Sequence, residues 1–160
     1  MSAPTRHAWC ERINPALPFL MVSALAILGA GVLAAAEAHA PNQKLVWAVA
    51  YLVLVVGASQ AVFGAGQALL ATRATSVSTR VAEWTLFNLG NAGVIAGTLC
   101  SSQALVWVGT LLFAASLAAF LWATRGVRGG WTIIAYRMLL VLIGASAVVG
   151  LVLTMARATA

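Results

Sequence analysis

Five long apolar stretches, separated by short polar segments, fill almost all of this 160-residue chain. They cover about 17–37, 45–70, 83–101, 104–124 and 132–156. A helix needs roughly 20 apolar residues to cross the hydrocarbon core of a bilayer, and each stretch is about that long or longer. Because the apolar residues run continuously and do not alternate with polar ones, the pattern predicts helices and not the strands of a barrel.

The fold predicted from this pattern is all-α, an integral membrane bundle of five transmembrane helices. We expect one transmembrane domain over 17–156, an interfacial tail over 1–16 and a short outer tail over 157–160. The first stretch, which follows Arg6 and Arg12, could also be the apolar part of a cleaved signal peptide. It is longer than the 7–15 apolar residues typical of such a signal, so we expect an uncleaved first helix.

The composition supports a membrane location. Hydrophobic residues make up 62% of the chain and charged residues 8%, whereas a soluble domain carries about 25% charged residues. The net charge of +6 comes from basic residues next to the apolar stretches, and they form no dense run of the kind that contacts nucleic acid. We therefore expect the basic residues to face the lipid bilayer surface, and we expect no nucleic-acid partner.

The distribution of basic residues predicts the orientation. Lys44 and Arg157 are on one side of the predicted membrane, and the other seven are on the opposite side: Arg6, Arg12, Arg73, Arg80, Arg125, Arg128 and Arg137. The positive-inside rule then predicts a cytoplasmic (inner) membrane protein with its N-terminus in and its C-terminus out. All six tryptophans lie near the ends of the stretches, which is typical of an interfacial aromatic belt.

Four amide side chains lie within the second and third stretches: Gln60, Gln67, Asn88 and Asn91. Hydrogen bonds between helices contribute roughly 0.6–2 kcal/mol each in membranes, so these amides could act only to hold the two helices together. They could also line a small polar pocket for a lipid headgroup, a quinone or a similar molecule. The sequence leaves both interpretations open.

Two charged residues lie inside predicted spans near the inner interface. Glu83 opens the third stretch and Arg137 lies about two turns into the fifth. Charge within a span is unfavourable and is usually paired, so we predict a Glu83–Arg137 ion pair. In the alternative interpretation, each side chain extends separately to the lipid headgroups.

Small residues predict a packing seam between helices. The second stretch contributes Gly57 and Ala61, and the third contributes Gly90, Gly93 and Gly97, the last two forming a GxxxG match. Such spacing allows two helix backbones to approach closely. The seam could lie within the bundle or against a partner.

Groups that carry out chemistry are scarce in the sequence. His7 and His39 lie outside the apolar stretches, aspartate is absent, and the two cysteines are Cys10 and Cys100. No stretch carries the paired histidines or clustered cysteines of a haem, zinc or iron–sulfur site. We therefore expect no cofactor, no metal and no enzymatic activity.

Partial resemblances do not assign a family. The segments 62–66 and 84–90 resemble parts of small bacterial membrane proteins related to the large subunit of haem–copper oxidases. They cover under a fifth of the chain, and the histidines that would bind haem are absent. Length and tryptophan content are similar to those of the tryptophan-rich sensory (translocator) family, but 38–44 lacks that family's tryptophans.

The sequence therefore favours a small non-enzymatic integral membrane protein. Its predicted role is that of a subunit or accessory protein that packs against another membrane protein or forms a homo-oligomer. The alternative is a protein that binds or transports a small molecule, such as a lipid or quinone, through the amide cluster.

Overall fold

The computed structural model describes residue 14 and residues 16–70, 76–125 and 130–158. The side chains of 67–70 and 153–158 lie outside this description. So do Arg73, Arg128, residues 159–160 and all of the predicted 1–16 tail except residues 14 and 16.

Every regular element within the described ranges is helical, which confirms the all-α prediction. The elements are α1 (Leu17–Ala36), α2 (Gln43–Tyr51), a π-helical segment (Leu52–Ala58), α3 (Ser59–Leu70), α4 (Val77–Leu99), α5 (Gln103–Ala123) and α6 (Trp131–Ala158). Tyr51, Leu52 and Ser59 all have helical backbone angles, so α2, the π-helical segment and α3 form one continuous helix. The described part of the chain therefore contains five helical rods.

Four of these rods are long and apolar enough to cross a membrane: α1, the range Gln43–Gly66, α5 and the range Trp131–Val152. They show a multi-pass membrane protein. Helix α4 has 23 residues, yet it is not among the four, because charged and amide side chains make it less apolar than the other rods. The predicted count of five spans is therefore confirmed only in part.

Helix α4 starts six residues before the predicted position 83. Ser76 caps it: the Ser76 hydroxyl oxygen accepts a hydrogen bond from the Thr79 backbone N–H at 3.1 Å. This bond satisfies one of the N–H groups that a helix start leaves without a partner. The helix thus begins outside the apolar stretch, whereas the other helix ends lie within two residues of their predicted positions.

The helices fall into two compact units, Met1–Thr75 and Ser76–Ala160. In the first unit, α1 packs along the continuous helix. A Cβ atom added to Gly57 would lie 2.6 Å from Cγ1 of Ile27, and one added to Gly64 would lie 2.9 Å from Cβ of Phe19. Phe19 precedes Ile27 in α1 but meets the later glycine, Gly64, so the two helices run antiparallel.

The loop between these two helices is held by its own polar side chains. Asn42 caps α2, because its Oδ1 accepts a hydrogen bond from the Lys44 N–H at 2.9 Å. The Asn42 N–H in turn donates to Oε2 of Glu37 at 2.8 Å. The two bonds define where the second rod begins.

In the second unit, a tight turn joins α4 to α5. Ser101 has a φ of 55°, in the left-handed region that glycine usually occupies at this point of a helix end. The Ser102 N–H donates to the Gly97 carbonyl at 2.8 Å and the Ser101 N–H to the Thr98 carbonyl at 3.3 Å. This is the bond pattern of a Schellman motif, and it returns the chain directly along α4.

Helices α4 and α5 then touch backbone to backbone. A Cβ atom added to Gly90 would lie 2.6 Å from the Phe113 nitrogen, and one added to Gly93 would lie 2.9 Å from the Gly109 Cα. At Gly97 it would lie 2.6 Å from the Val106 nitrogen. A side chain at any of these glycines would require the two helices to separate.

Aromatic packing continues this contact toward the start of α4. The Phe87 ring lies 5.4 Å from that of Phe113 and 6.3 Å from that of Phe120, and all three rings are buried. Helix α6 packs on α5 near Leu117, whose Cδ1 would lie 3.6 Å from a Cβ added to Gly144.

Replacing Gly109 with alanine should destabilise the α4–α5 hairpin by about 1–3 kcal/mol, the usual range for an overpacked interior. The new Cβ would lie 2.5 Å from the Val94 nitrogen and 2.8 Å from the Gly90 oxygen. Both are backbone atoms that cannot rotate away. The free energy of unfolding in mixed detergent micelles measures the effect.

Gly29→Ala is the matched control. A Cβ there meets nothing within 4 Å outside its own helix, so we expect no loss of stability. Equal stabilities for Gly109→Ala and Gly29→Ala would show that the close approach is absent from the folded protein.

Candidate functional site

The four predicted amide residues are divided between the two units. Gln60 lies in α3 and is fully buried, and Gln67 lies in the same helix with its side chain outside the described residues. Asn88 and Asn91 lie in α4 of the second unit, where Asn91 is buried and Asn88 half-buried. That the four form one cluster stays a prediction.

Both asparagines bond to their own helix. Nδ2 of Asn88 donates to the Trp84 carbonyl and Nδ2 of Asn91 to the Phe87 carbonyl, each at 2.8 Å. From the sequence, these amides could either bond between helices or line a polar pocket, and both interpretations stay open. A carbonyl four residues earlier is always within reach of a short polar side chain, so these bonds form without a second helix.

Hydroxyl groups in the second unit use the same arrangement. Each donates to a carbonyl three or four residues earlier at 2.7–2.9 Å, as seen for Thr98, Thr110, Ser116 and Thr124. In a hydrocarbon environment an unsatisfied polar group is costly, and this local bond removes much of that cost. These side chains therefore fit a lipid-surrounded helix without serving as binding groups.

A bond between helices occurs in the first unit, where the sequence analysis placed none. The Ser23 hydroxyl of α1 donates to the Gly57 carbonyl at 2.7 Å, and the bond is buried. Gly57 lies in the π-helical segment, whose Leu54 carbonyl also accepts a bond from the Ser59 hydroxyl at 3.4 Å. The two serine hydroxyls thus bond to carbonyls of a locally widened helix.

Gln60 follows this segment directly. It is the largest fully buried polar side chain of its unit within the described residues. Single-turn π-helical segments occur frequently at functional sites, because they displace side chains from the regular helical register. The combination of Gln60 and the π-helical segment is therefore the strongest local signal for a site in the first unit.

The predicted ion-pair residues have the following neighbours. Glu83 is 2% exposed, so its carboxyl group is inside the protein, and it interacts electrostatically with Tyr136 of α6. Arg137 donates through Nε to the Thr124 hydroxyl at 3.4 Å and through a terminal nitrogen to the Thr124 carbonyl. The Glu83–Arg137 ion pair stays a prediction.

The glycines of the predicted seam pack within their own units. Gly57 meets α1, whereas Gly90, Gly93 and Gly97 meet α5, and Ala61 is half-buried in α3. Gly64 and Gly109 complete these contacts, and neither was predicted to do so. Gly109 has no small residue at GxxxG spacing beside it, so the sequence pattern does not indicate it.

The described residues contain no group of three or more His, Cys, Asp or Glu side chains that could hold a metal ion. Of the candidates named from the sequence, His39 and Cys100 are exposed. His7 and Cys10 lie outside the described residues.

Comparisons of the chain with protein-family models, with curated proteins and with solved structures found no match. Its function is therefore argued from its own residues.

Removing the Ser23 hydroxyl should weaken the first unit. Ser23→Ala leaves the Gly57 carbonyl without this donor, and side-chain hydrogen bonds between membrane helices are worth about 0.6 kcal/mol on average and up to about 1.7. We expect a loss of unfolding free energy in that range, measured in mixed micelles.

Ser146→Ala serves as the control, because the Ser146 hydroxyl donates to the Ile143 carbonyl of its own helix and is exposed. It should leave stability nearly unchanged. If the two variants lose the same unfolding free energy, the bond between α1 and the π-helical segment stabilises the protein no more than a bond within one helix.

Proposed function

We propose that this chain is a small non-enzymatic subunit or accessory protein that packs against another membrane protein or against itself. The supporting observation concerns two glycines of α1. Gly29 and Gly31 flank the fully buried Ala30, and a Cβ at either would meet nothing within 4 Å outside its own helix.

Glycine inside a helix is destabilising by roughly 0.5–1 kcal/mol relative to alanine. At Gly90, Gly93 and Gly97 a close helix contact offsets this disadvantage. Within the described residues Gly29 and Gly31 have no such contact, although both leave the backbone of α1 accessible beside its packed face. A helix from a partner or a second copy would fit closely there.

We further propose that α4 is the fifth span. Its 23 residues are about 35 Å long at 1.5 Å per residue, enough to cross the hydrocarbon core. Its polar side chains Glu83 and Asn91 are buried, whereas Val81 and Leu89 are more than half exposed. At these positions the helix buries polar side chains and exposes apolar ones, as a span in contact with lipid must.

The alternative function is binding or transport of a small apolar molecule with a polar group, such as a quinone or lipid. It is supported by the burial of Gln60 beside the π-helical segment and by the burial of Asn91. In this alternative a buried amide group, that of Gln60 in the first unit or that of Asn91 in the second, holds the polar part of the ligand. A wild-type chain that remains monomeric and gains thermal stability from an added quinone or lipid would favour it.

The subunit proposal predicts that the wild-type chain leaves the membrane as a complex or homo-oligomer in a mild detergent. Gly31→Leu should reduce this association at least tenfold, because the leucine side chain would occupy the accessible surface of α1. Native mass spectrometry and crosslinking in membranes measure the change.

Val32→Leu is the control, since Val32 is 73% exposed on the same helix and already carries a branched side chain. It should associate like the wild type. Neither variant should unfold below the wild-type temperature, since leucine favours a helix more than glycine does. A wild-type chain that is monomeric in membranes as well as in detergent would contradict the proposal.

Five spans with the N-terminus in predict that a reporter joined after Ala160 lies outside the cytoplasm. Alkaline phosphatase at that point should be active and green fluorescent protein should not fluoresce. The reverse pattern would mean an even number of spans or the opposite orientation.

A further inference from the structure

The end of α5 that leads to α6 carries an exposed pair of side chains. The guanidinium carbon of Arg125 lies 4.5 Å from the centroid of the Trp122 ring. Trp122 is 67% exposed and Arg125 is exposed as well. A cation–π interaction at this distance holds the guanidinium group in place while leaving its N–H groups accessible.

The sequence of its own unit offers Arg125 no exposed acidic side chain to balance its charge. The sequence from 76 to 160 contains five arginines and a single acidic residue, Glu83, and Glu83 is 2% exposed. In the described part of this unit the Arg125 side chain contacts Trp122. A neutralising anion must therefore come from outside the unit.

The neighbouring helix end would normally repel an anion. The last carbonyl groups of a helix carry partial negative charge, and Arg125 lies just beyond Ala123, the last residue of α5. Arg137 of α6 offsets this charge, because its guanidinium group donates to both the carbonyl and the hydroxyl of Thr124. Two arginines thus make this end of α5 favourable for an anion.

A second tryptophan places this end at the membrane surface. Trp131 is the first residue of α6 and is 81% exposed. It lies six residues before Arg137, the residue that bonds to Thr124. Tryptophans at span ends lie at the level of the lipid headgroups. Lipid phosphates lie at that level and can supply an anion to Arg125.

We propose that Trp122 and Arg125 form a binding site for the phosphate headgroup of an anionic phospholipid. The planar guanidinium group can donate two parallel hydrogen bonds to phosphate oxygens. The Trp122 ring fixes the guanidinium group on one face and contacts the upper part of the lipid chains on the other. This site does not depend on the proposed association of the chain with a partner.

The test compares phosphatidylglycerol with phosphatidylcholine of the same acyl chains, added to the full chain in a nonionic detergent. Thermal unfolding and native mass spectrometry report binding. Phosphatidylglycerol should bind preferentially, and Arg125→Gln should weaken it about fivefold, the factor for roughly 1 kcal/mol per basic residue at an anionic surface. Trp122→Leu should also weaken it, because the guanidinium group loses its support.

Lys44→Gln removes one positive charge from an exposed residue of the first unit, and Trp107→Leu removes a tryptophan near the opposite end of α5. Both should bind phosphatidylglycerol like the wild type. Equal binding of the two lipids, or equal loss in Arg125→Gln and Lys44→Gln, would overturn the proposal. Stabilisation by inorganic phosphate alone, to the same extent, would show a site for free phosphate and refute the lipid assignment.

Discussion

Helices in a bilayer gain little from burying apolar side chains against one another, because lipid chains already surround those side chains favourably. Close packing of backbones must therefore supply much of the attraction. The contact of α4 with α5 satisfies this requirement over about two turns, where Gly90, Gly93 and Gly97 bring backbone atoms of the two helices together. The tight Schellman turn at Ser101 places the helices in register for it.

The same environment determines where the polar side chains bond. An amide or hydroxyl group without a partner is costly in hydrocarbon, and a carbonyl of its own helix is the nearest acceptor. Asn88 and Asn91 both bond in this way. Two bonds in the described part of the chain link different helices through unusual acceptors: Ser23 reaches a carbonyl of the π-helical segment, and Arg137 reaches the carbonyl at the end of α5.

Much of the fold could be predicted from hydropathy, because the length and continuity of an apolar stretch are sufficient to define a membrane helix. The start of α4 could not, since Ser76 and Thr79 extend the helix into a polar segment. The π-helical segment has an ordinary Leu/Val/Gly/Ala sequence and so leaves no pattern. For the candidate site, GxxxG spacing identified the glycines of α4 that permit close approach. The position on α5 that they contact is Gly109, which has no GxxxG spacing of its own, so the pattern does not indicate it.

The surroundings of the glycines distinguish helix surfaces that pack within the chain from surfaces that other molecules could reach. Where a glycine meets a neighbouring helix, as Gly64 meets Phe19 and Gly109 meets Val94, its missing side chain is explained by the fold. Gly29 and Gly31 have no such explanation within the described residues. Because each disfavours the helix that contains it, the proposed contact of α1 with a partner or a second copy would account for both. In that proposal α1 is the element that the partner contacts, whereas α4 and α5 contact each other.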